Sequence, residues 1–140
     1  MAVVDDLSSI AKIASSGMRA QSQRLRITSE NMANADSTGS TPGSDPYQRK
    51  TISFGNMVDD QTGANLVSVD KVSRDPSDFR LVYDPSHPAA DAAGYVKMPN
   101  VNSLVELGNM REASRSYEAN LNMLETGRNM KSQLIGMLDK

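Results

Sequence analysis

Apolar residues recur near both ends of the chain at alternating spacings of four and three. The N-terminal series is Leu7, Ala11, Ala14, Met18, Gln21, Leu25, Thr28 and Met32. This period is typical of a helix that packs as a coiled coil. Because two of these eight positions are polar and two are alanine, the helix is expected to need a packing partner.

The limits of the first helix are predicted from capping residues. The carboxylate of Asp6 can accept hydrogen bonds from the free N–H groups of a first turn, so the helix is expected to start there. It is expected to end before Asp36, where Gly39 can take the left-handed conformation that follows many helices.

The C-terminal zone predicts a second long helix, over 101–140. Ser103 and Glu106 have the spacing of a capping box, in which the serine hydroxyl accepts a hydrogen bond from the Glu106 N–H. Roughly 36 helical residues would span on the order of 50 Å. The apolar series that follows is Leu107, Met110, Tyr117, Leu121, Leu124, Met130 or Lys131, Leu134 or Ile135, and Leu138.

The middle of the chain has a different composition. Residues 36–100 contain all six prolines and most of the glycines, which favours irregular and β structure. Strands are predicted over 47–54, 66–72 and 79–83, with an exposed loop over 37–46 and an extended segment over 85–99.

These patterns together predict an α+β fold. Long N- and C-terminal helices, 1–36 and 101–140, would form a coiled-coil-like stalk, and 37–100 would form a small β-containing module beside it. With 140 residues, 38% hydrophobic residues and 4% aromatic residues, the chain can bury only a modest core by itself.

Charge and cysteine content exclude several classes of function. The net charge of -2 gives no strong attraction to nucleic acid or to an anionic membrane. The absence of cysteine excludes disulfides, thiol catalysis and cysteine-based metal sites. The N-terminus has no basic segment followed by an apolar run, so it does not resemble a cleaved secretory signal, and no stretch reaches the roughly 18 apolar residues of a membrane helix.

The candidate chemistry is sparse. His87, the single histidine, could hold a metal with Asp84 and Asp91, but a turn residue that makes a local hydrogen bond is the better interpretation. No nucleophile motif, phosphate-binding loop or apolar carboxylate pair is present. We therefore predict no enzyme activity, no catalytic residues, no cofactor and no metal.

The basic side of the first helix has two interpretations, and neither is preferred. It contains Arg19, Arg24 and Arg26, which could contact an acidic neighbour or simply face solvent. With Glu30 close behind and few aromatic residues, a nucleic-acid role has weak support.

Methionines and asparagines on the predicted helices indicate contacts with other chains. Methionine adapts to non-identical neighbours, so the six helical methionines favour partner contact over core filling: Met18, Met32, Met110, Met123, Met130 and Met137. Asparagine is a poor interior helix former. The helical asparagines either fix the register of packed helices or face solvent, and the sequence leaves both open: Asn31, Asn34, Asn120, Asn122 and Asn129.

Five segments carry a family resemblance. The segments 16–21 and 31–39 resemble the N-terminal signature of flagellar rod and hook proteins, and 115–120 resembles their C-terminal signature. The segments 75–91 and 94–102 are similar to the proximal-rod members of that family in particular. Residues 40–46 depart from the family pattern, in which the first signature often runs almost directly into Gly-Tyr.

The resemblance implies a structural function in the basal body of the bacterial flagellum. Such subunits leave the cytoplasm unfolded, through the flagellar type III export apparatus and without signal cleavage. They assemble in the periplasm with copies of themselves, with the rod proteins FlgB, FlgF and FlgG, and near the base protein FliE. Their terminal helices form a tube around the export channel, the middle region forms an outer module, and the rod transmits motor torque to the hook. No nucleic acid and no small-molecule substrate is implied.

From the helical stripes we predict the residues that pack between subunits, and from the resemblance those that form the signatures. A stripe this weak leaves the ends of the free chain disordered until neighbours bury them. A secreted helical adapter and a metal enzyme centred on His87 are the alternatives. The inter-subunit residues are Leu7, Met18, Leu25, Met32, Leu107, Met110, Tyr117, Leu121, Leu124, Leu134 and Leu138, and the signature residues are Asn31, Asn34, Tyr117 and Asn120.

Overall fold

The structure, a computed structural model, describes residues 2–138 of the chain. Two long helices lie at the ends, with four short strands between them, which confirms the α+β prediction. No helix in the described part of the chain is long and apolar enough to cross a membrane. The elements, in chain order, are α1 (Ala2–Ala33), β1 (Lys50–Val58), β2 (Asn65–Arg74), β3 (Arg80–Tyr83), β4 (Tyr95–Met98) and α2 (Ser103–Leu138).

Helix α1 starts earlier than predicted. It includes Ala2, so the prediction that Asp6 caps its first turn is wrong. The residues between Ala2 and Asp6 include no glycine or proline. No helix-breaking residue therefore prevents the helix from starting before Asp6.

An asparagine, and not a glycine, ends α1. The backbone N and the side-chain Nδ2 of Asn34 both donate to the Glu30 carbonyl, at 3.1 and 2.9 Å. The Ser37 hydroxyl in turn donates to Asn34 Oδ1 at 3.0 Å. Gly39 does not have a positive φ, so the prediction of a left-handed glycine cap is wrong: Asn34 already satisfies the last turn.

Helix α2 is capped one residue before the predicted position. Asn102 Oδ1 accepts hydrogen bonds from the backbone N–H groups of Leu104 and Val105, at 3.0 and 3.3 Å. The N–H of Glu106 donates to the Asn102 carbonyl and not to the Ser103 hydroxyl. The capping-box prediction is therefore wrong, and the Glu106 carboxylate is left for another use.

Strands β1 and β2 form a two-stranded ribbon. The hydroxyls of Thr51 and Ser73 lie 3.0 Å apart across it, and the N–H of Asp59 donates to the Ala64 carbonyl at its turn. Gly63 supplies the positive φ of 66° that this turn requires. Both strands were predicted, although β1 starts three residues later than expected and ends four residues later.

Strands β3 and β4 form a second, antiparallel pair in which Val82 lies opposite Val96 and Tyr83 opposite Tyr95. Strand β4 lies within 85–99, which was predicted to be extended but was not predicted to contain a strand. Gly94 makes the turn before it, with a φ of 84°, and a Cβ there would lie only 2.9 Å from the Tyr83 ring. Glycine is therefore required at this position for both its backbone conformation and its size.

The chain divides into two compact units, which are described separately below. The first unit contains the described residues of 1–25, 53–71 and 111–140, and the second contains 26–52 and 72–110. Each unit takes residues from the N-terminal, middle and C-terminal parts of the chain, because both long helices contribute to both units. The buried apolar residues of the first unit are Leu7, Ala14, Ala20, Leu66 and Ala113, and those of the second are Ile27, Ala89 and Val96.

Candidate assembly surfaces and a buried polar cluster

In the first unit, α1 and α2 pack against each other in antiparallel orientation. A Cβ at Gly127 would lie 3.7 Å from Ile10, and Arg24 Nη2 lies 3.1 Å from Glu112 Oε2. Residue numbers along α1 therefore rise as those along α2 fall. Each helix has the other as its partner within one chain, in agreement with the predicted coiled-coil-like stalk, whereas their antiparallel orientation was not predicted.

Small residues form the contact between the helices in this unit. A Cβ at Gly17 would lie 2.8 Å from the Asn120 amide, so only glycine allows this approach. Ala14 and Ala113 are almost fully buried. A contact made by such side chains buries little apolar area, and the stability that it supplies is correspondingly small.

The β1–β2 ribbon is attached to α1 through polar contacts. The Ser16 hydroxyl donates to the Ile13 carbonyl at 2.7 Å and accepts from the Val67 N–H at 3.1 Å. Lys12 Nζ lies 2.6 Å from Asp59 Oδ2. The hydrogen bond from Lys12 lowers the pKa of Asp59.

The second unit contains a cluster of interlocked polar side chains, which we call the polar cluster: Asn31, Tyr47, Arg49, Lys50 and Glu106. Asn31 is 1% exposed, and its amide makes four hydrogen bonds. Its Nδ2 donates to the Lys50 carbonyl at 2.8 Å and to Glu106 Oε2 at 3.2 Å. Its Oδ1 accepts from the Lys50 N–H at 2.9 Å and from the Tyr47 hydroxyl at 2.8 Å. The full hydrogen-bonding capacity of this buried amide is used.

The guanidinium of Arg49 balances the buried carboxylate of Glu106. Arg49 Nε lies 2.6 Å from Glu106 Oε1, and its Nη1 lies 3.2 Å from Asp75 Oδ2. Burial works to lower the pKa of Arg49, but the two carboxylates outweigh it and the pKa is raised. Burial, followed by the charges of Glu30 and Glu106, raises the pKa of Tyr47. With both pKa values raised, the Arg49 guanidinium stays charged and the Tyr47 phenol stays protonated at neutral pH.

Asn100 ties the chain before α2 to the same region. Its Oδ1 accepts from the Arg49 N–H at 2.8 Å, and its Nδ2 donates to the carbonyls of Asp75 and Ser77 at 3.1 and 3.0 Å. The Ser77 N–H also donates to Asp75 Oδ1 at 2.9 Å. Hydrogen bonds from Ser77, and then from Arg49, lower the pKa of Asp75.

The loop after α1 is closed at its base. The Tyr47 N–H donates to the Ser37 carbonyl at 3.0 Å, and the Gly43 N–H donates to the Ala89 carbonyl at 3.1 Å. Residues 40–43 are exposed, as predicted, whereas Pro46 is buried. Residues 40–46, which depart from the family pattern, therefore belong to a loop whose two ends are held together by the Tyr47–Ser37 hydrogen bond.

The predicted inter-subunit residues differ in burial. Leu7 is buried inside its own chain at 6% exposure, whereas Leu138 is 80% exposed. The remaining nine are partly buried: Met18, Leu25, Met32, Leu107, Met110, Tyr117, Leu121, Leu124 and Leu134.

The signature asparagines occupy three distinct positions. Asn31 lies in the polar cluster, Asn34 caps α1 and Asn120 lies against Gly17. The fourth signature residue, Tyr117, is half-buried on α2. Glu106 and Arg49 were not predicted to act together, since no local pattern brings residues this distant in sequence into contact.

Large apolar side chains are exposed along the second half of α2. Met123, Met130 and Met137, which we call the methionine stripe, recur every seven residues and are 54%, 50% and 70% exposed. Residues seven apart in a helix lie on nearly the same face. Ile135 and Leu138 add to the exposed apolar surface at the end of the helix. The stripe is therefore an extended apolar surface of the kind that marks protein–protein contact.

The β3–β4 pair adds a second exposed apolar surface, in the second unit. Leu81 and Tyr83 are 60% and 64% exposed. The rings of Tyr83 and Tyr95 meet edge to face, with their centroids 5.3 Å apart.

His87 makes a local turn contact. Its Nδ1 accepts a hydrogen bond from the Ala89 N–H at 3.1 Å, which confirms the prediction of a turn residue. Among the side chains that the structure describes, no group of three or more histidines, aspartates or glutamates is placed to hold a metal.

Two family models match the chain. Residues 12–40 match the model described as flagella basal body rod protein. Residues 92–137 match the model described as flagellar basal body rod FlgEFG protein C-terminal. The two matches include the two terminal signatures and most of both helices.

Curated relatives match over nearly their whole length. The flagellar basal-body rod protein FlgC of Agrobacterium fabrum is 53% identical over 135 residues, which cover 96% of this chain and 97% of the relative. The FlgC of Escherichia coli O6:H1 is 46% identical, covering 89% and 92%. The FlgC of Bacillus subtilis is 36% identical, covering 84% and 89%. The chain therefore belongs to the family of the flagellar basal-body rod protein FlgC, a structural subunit of the rod and not an enzyme.

Proposed function

We propose that this rod subunit assembles with other copies of itself through apolar residues on its terminal helices, forming a helical tube that encloses the export channel and transmits motor torque. The methionine stripe is the observation that carries this proposal. Its side chains are half or more exposed, at a spacing suited to packing against another helix. Methionine also suits contacts with several non-identical neighbours.

The proposed surface includes the methionine stripe and the half-buried residues of the original prediction. Leu25 and Leu121 are examples: each is partly covered within the chain and has surface left to bury. Leu7 is not included, because its own chain already buries it. At roughly 25 cal/mol per Å2, a few thousand Å2 of shared apolar surface would offset the cost of ordering both helices.

The proposed partners are the other rod proteins of the FlgB, FlgF and FlgG types and the base protein FliE, in a rod that spans the periplasm. We also propose that the chain is exported unfolded, without a cleaved signal. The small residues between α1 and α2 support this, since a contact of little apolar area opens easily. The free subunit would then complete the exposed second half of α2 only on assembly.

A pair of aspartate substitutions on α2 tests the proposal. Met130→Asp places a charge in the stripe, and we expect loss of rod assembly and of swimming with the purified protein still soluble. Ser132→Asp, at an exposed position two residues along the same helix, introduces the same charge on another face and should preserve motility. Basal bodies isolated from each strain and examined by electron microscopy provide the measurement. Normal rods with Met130→Asp would overturn the proposal.

Circular dichroism separates a polymer subunit from a small helical adapter. The proposal predicts a dilute monomer that is folded but has less helix than the assembled subunit, because the exposed second half of α2 is fully ordered only by its neighbours. A stably helical chain that forms a defined small complex and never polymerises would instead support the adapter.

A further inference from the structure

We propose that Glu106 and Arg49 are positioning residues that set the register between α1 and α2. This inference concerns pairing within one chain and does not depend on which neighbours the subunit has. It starts from the burial of Glu106, which is 1% exposed and does not cap its own helix.

The small residues between the helices discriminate poorly among registers. Ala14, Gly17 and Ala20 of α1 recur at spacings of three, so a slipped pairing still finds small side chains at several positions, although the close fit of Gly17 to the Asn120 amide is lost. A slipped pairing would therefore lose little apolar burial. Apolar packing therefore selects the observed register only weakly, and further selection is needed.

The polar cluster provides that selection, because both carboxylate oxygens of Glu106 are engaged. Oε1 pairs with Arg49 Nε at 2.6 Å, and Oε2 accepts from Asn31 Nδ2 at 3.2 Å. A slip of one heptad moves Glu106 by about 10 Å along the helix axis. Both contacts then break, so the partly buried guanidinium of Arg49 and the buried amide of Asn31 each lose a partner, which is unfavourable where access of solvent is limited.

A register role also explains why a charge is retained in this position. Buried ion pairs often add little net stability, because the attraction between the charges is offset by their loss of hydration. Buried polar residues in coiled coils are best known for fixing register. The interaction of Glu106 with Arg49 is therefore better explained by selection of one register between α1 and α2 than by a contribution to stability.

Engineered disulfides can report the register, because the chain has no cysteine of its own. Ile10→Cys with Gly127→Cys joins positions that are in contact in the structure. Ile10→Cys with Leu134→Cys, and Ile10→Cys with Asn120→Cys, report slips of seven residues in the two directions. Each pair is placed in the parent chain, in Glu106→Gln, and in a double variant, Arg49→Met with Glu106→Leu.

The three backgrounds give distinct expectations. In the parent chain, the native disulfide should form at least about ten times more readily than either slipped disulfide. Glu106→Gln keeps one acceptor oxygen and replaces the other by an NH2 group, so either Arg49 or Asn31 loses its acceptor and that preference should be weaker than in the parent chain. The double variant replaces the buried pair by apolar side chains, and it should stay folded by circular dichroism while its native and slipped disulfides form to within about threefold of one another.

Several results would overturn the inference. If the double variant kept the parent preference for the native disulfide, the cluster would contribute stability only and would not select the register. Equal native and slipped disulfides in the parent chain would show that no register is selected. Unfolding of the double variant would also count against a selector, because apolar replacements should leave the helices paired.

Discussion

A Cβ placed on Gly17 would meet the side-chain amide of Asn120 at 2.8 Å. The Asn120 amide is itself held by a hydrogen bond from its Nδ2 to the Ser116 carbonyl, at 2.8 Å. These two residues belong to the N-terminal and C-terminal signatures respectively. The signatures therefore meet each other inside one chain, where they determine how closely the two helices approach.

Gly17→Ala should destabilise the helix pair. The added methyl group needs the Asn120 amide to move, and overpacking of this kind costs about 1–3 kcal/mol. Gly108→Ala is the matched control: no atom lies within 4 Å of a Cβ there, so it should gain the roughly 1 kcal/mol by which alanine exceeds glycine in a helix. Urea unfolding gives both values. If adding Asn120→Ala does not restore the stability lost in Gly17→Ala, the clash with the Asn120 amide is not the cause of the loss.

Ser16→Ala should loosen the β1–β2 ribbon from α1. The substitution leaves the Val67 N–H without its acceptor, at a cost of about 1–2 kcal/mol. Hydrogen exchange of the Val67 amide is the measurement, and it should become faster. Ser15→Ala, a neighbouring half-buried serine, is the control and should leave that amide unchanged.

Asn31→Ala should destabilise the second unit more than any single substitution of its hydrogen-bonding partners. Four hydrogen bonds end on this amide, and their loss in a buried site should cost about 2–4 kcal/mol. Tyr47→Phe removes only one of the four and should cost about 1 kcal/mol. Thermal unfolding of both variants tests the order; equal losses would mean that the amide is not the centre of the cluster.

Acid should weaken the protein through Asp75. Its pKa is lowered in the folded chain by Ser77 and Arg49, so its carboxylate contributes stability above its unfolded pKa of about 3.9. That contribution is lost as the pH falls through the lower, folded pKa. Asp75→Asn should therefore flatten the decline of unfolding free energy below about pH 4. Asp78→Asn, which removes an exposed carboxylate from the same segment, is the control; an unchanged acid profile with Asp75→Asn would contradict the assignment.

The periodic parts of the sequence predicted the fold class and both helices. Leu7, Leu25 and the apolar residues of α2 recur at the helical period, and local periodicity is the strongest signal that a single sequence carries. The helix caps were predicted less well. Asn34 and Asn102 end and start the helices where Gly39 and Ser103 were expected, because several capping residues lie close together and tertiary contacts decide among them.

The polar cluster could not be predicted from the sequence. Asn31 and Glu106 lie 75 residues apart, and no periodic pattern links them. The Ser103–Glu106 spacing instead predicted that the Glu106 carboxylate would cap the N-terminus of α2. Strand β4 was missed for a related reason: Tyr95–Met98 is only four residues long, and its pairing with Tyr83 becomes visible only once the turn at Gly94 has folded.

The hydrogen bond from Tyr47 to Ser37 joins the two ends of the loop between them, and the bond from Gly43 to Ala89 holds its second half, so only the tip near Thr41 is free to vary. Since the two ends are joined by their own contact, residues can be added at the exposed tip near Thr41 without pulling on either neighbour. Homologous chains can therefore vary in length here while keeping the same junction. The same tip offers a place to insert an epitope or a fluorescent label, so that individual rods can be followed as they grow.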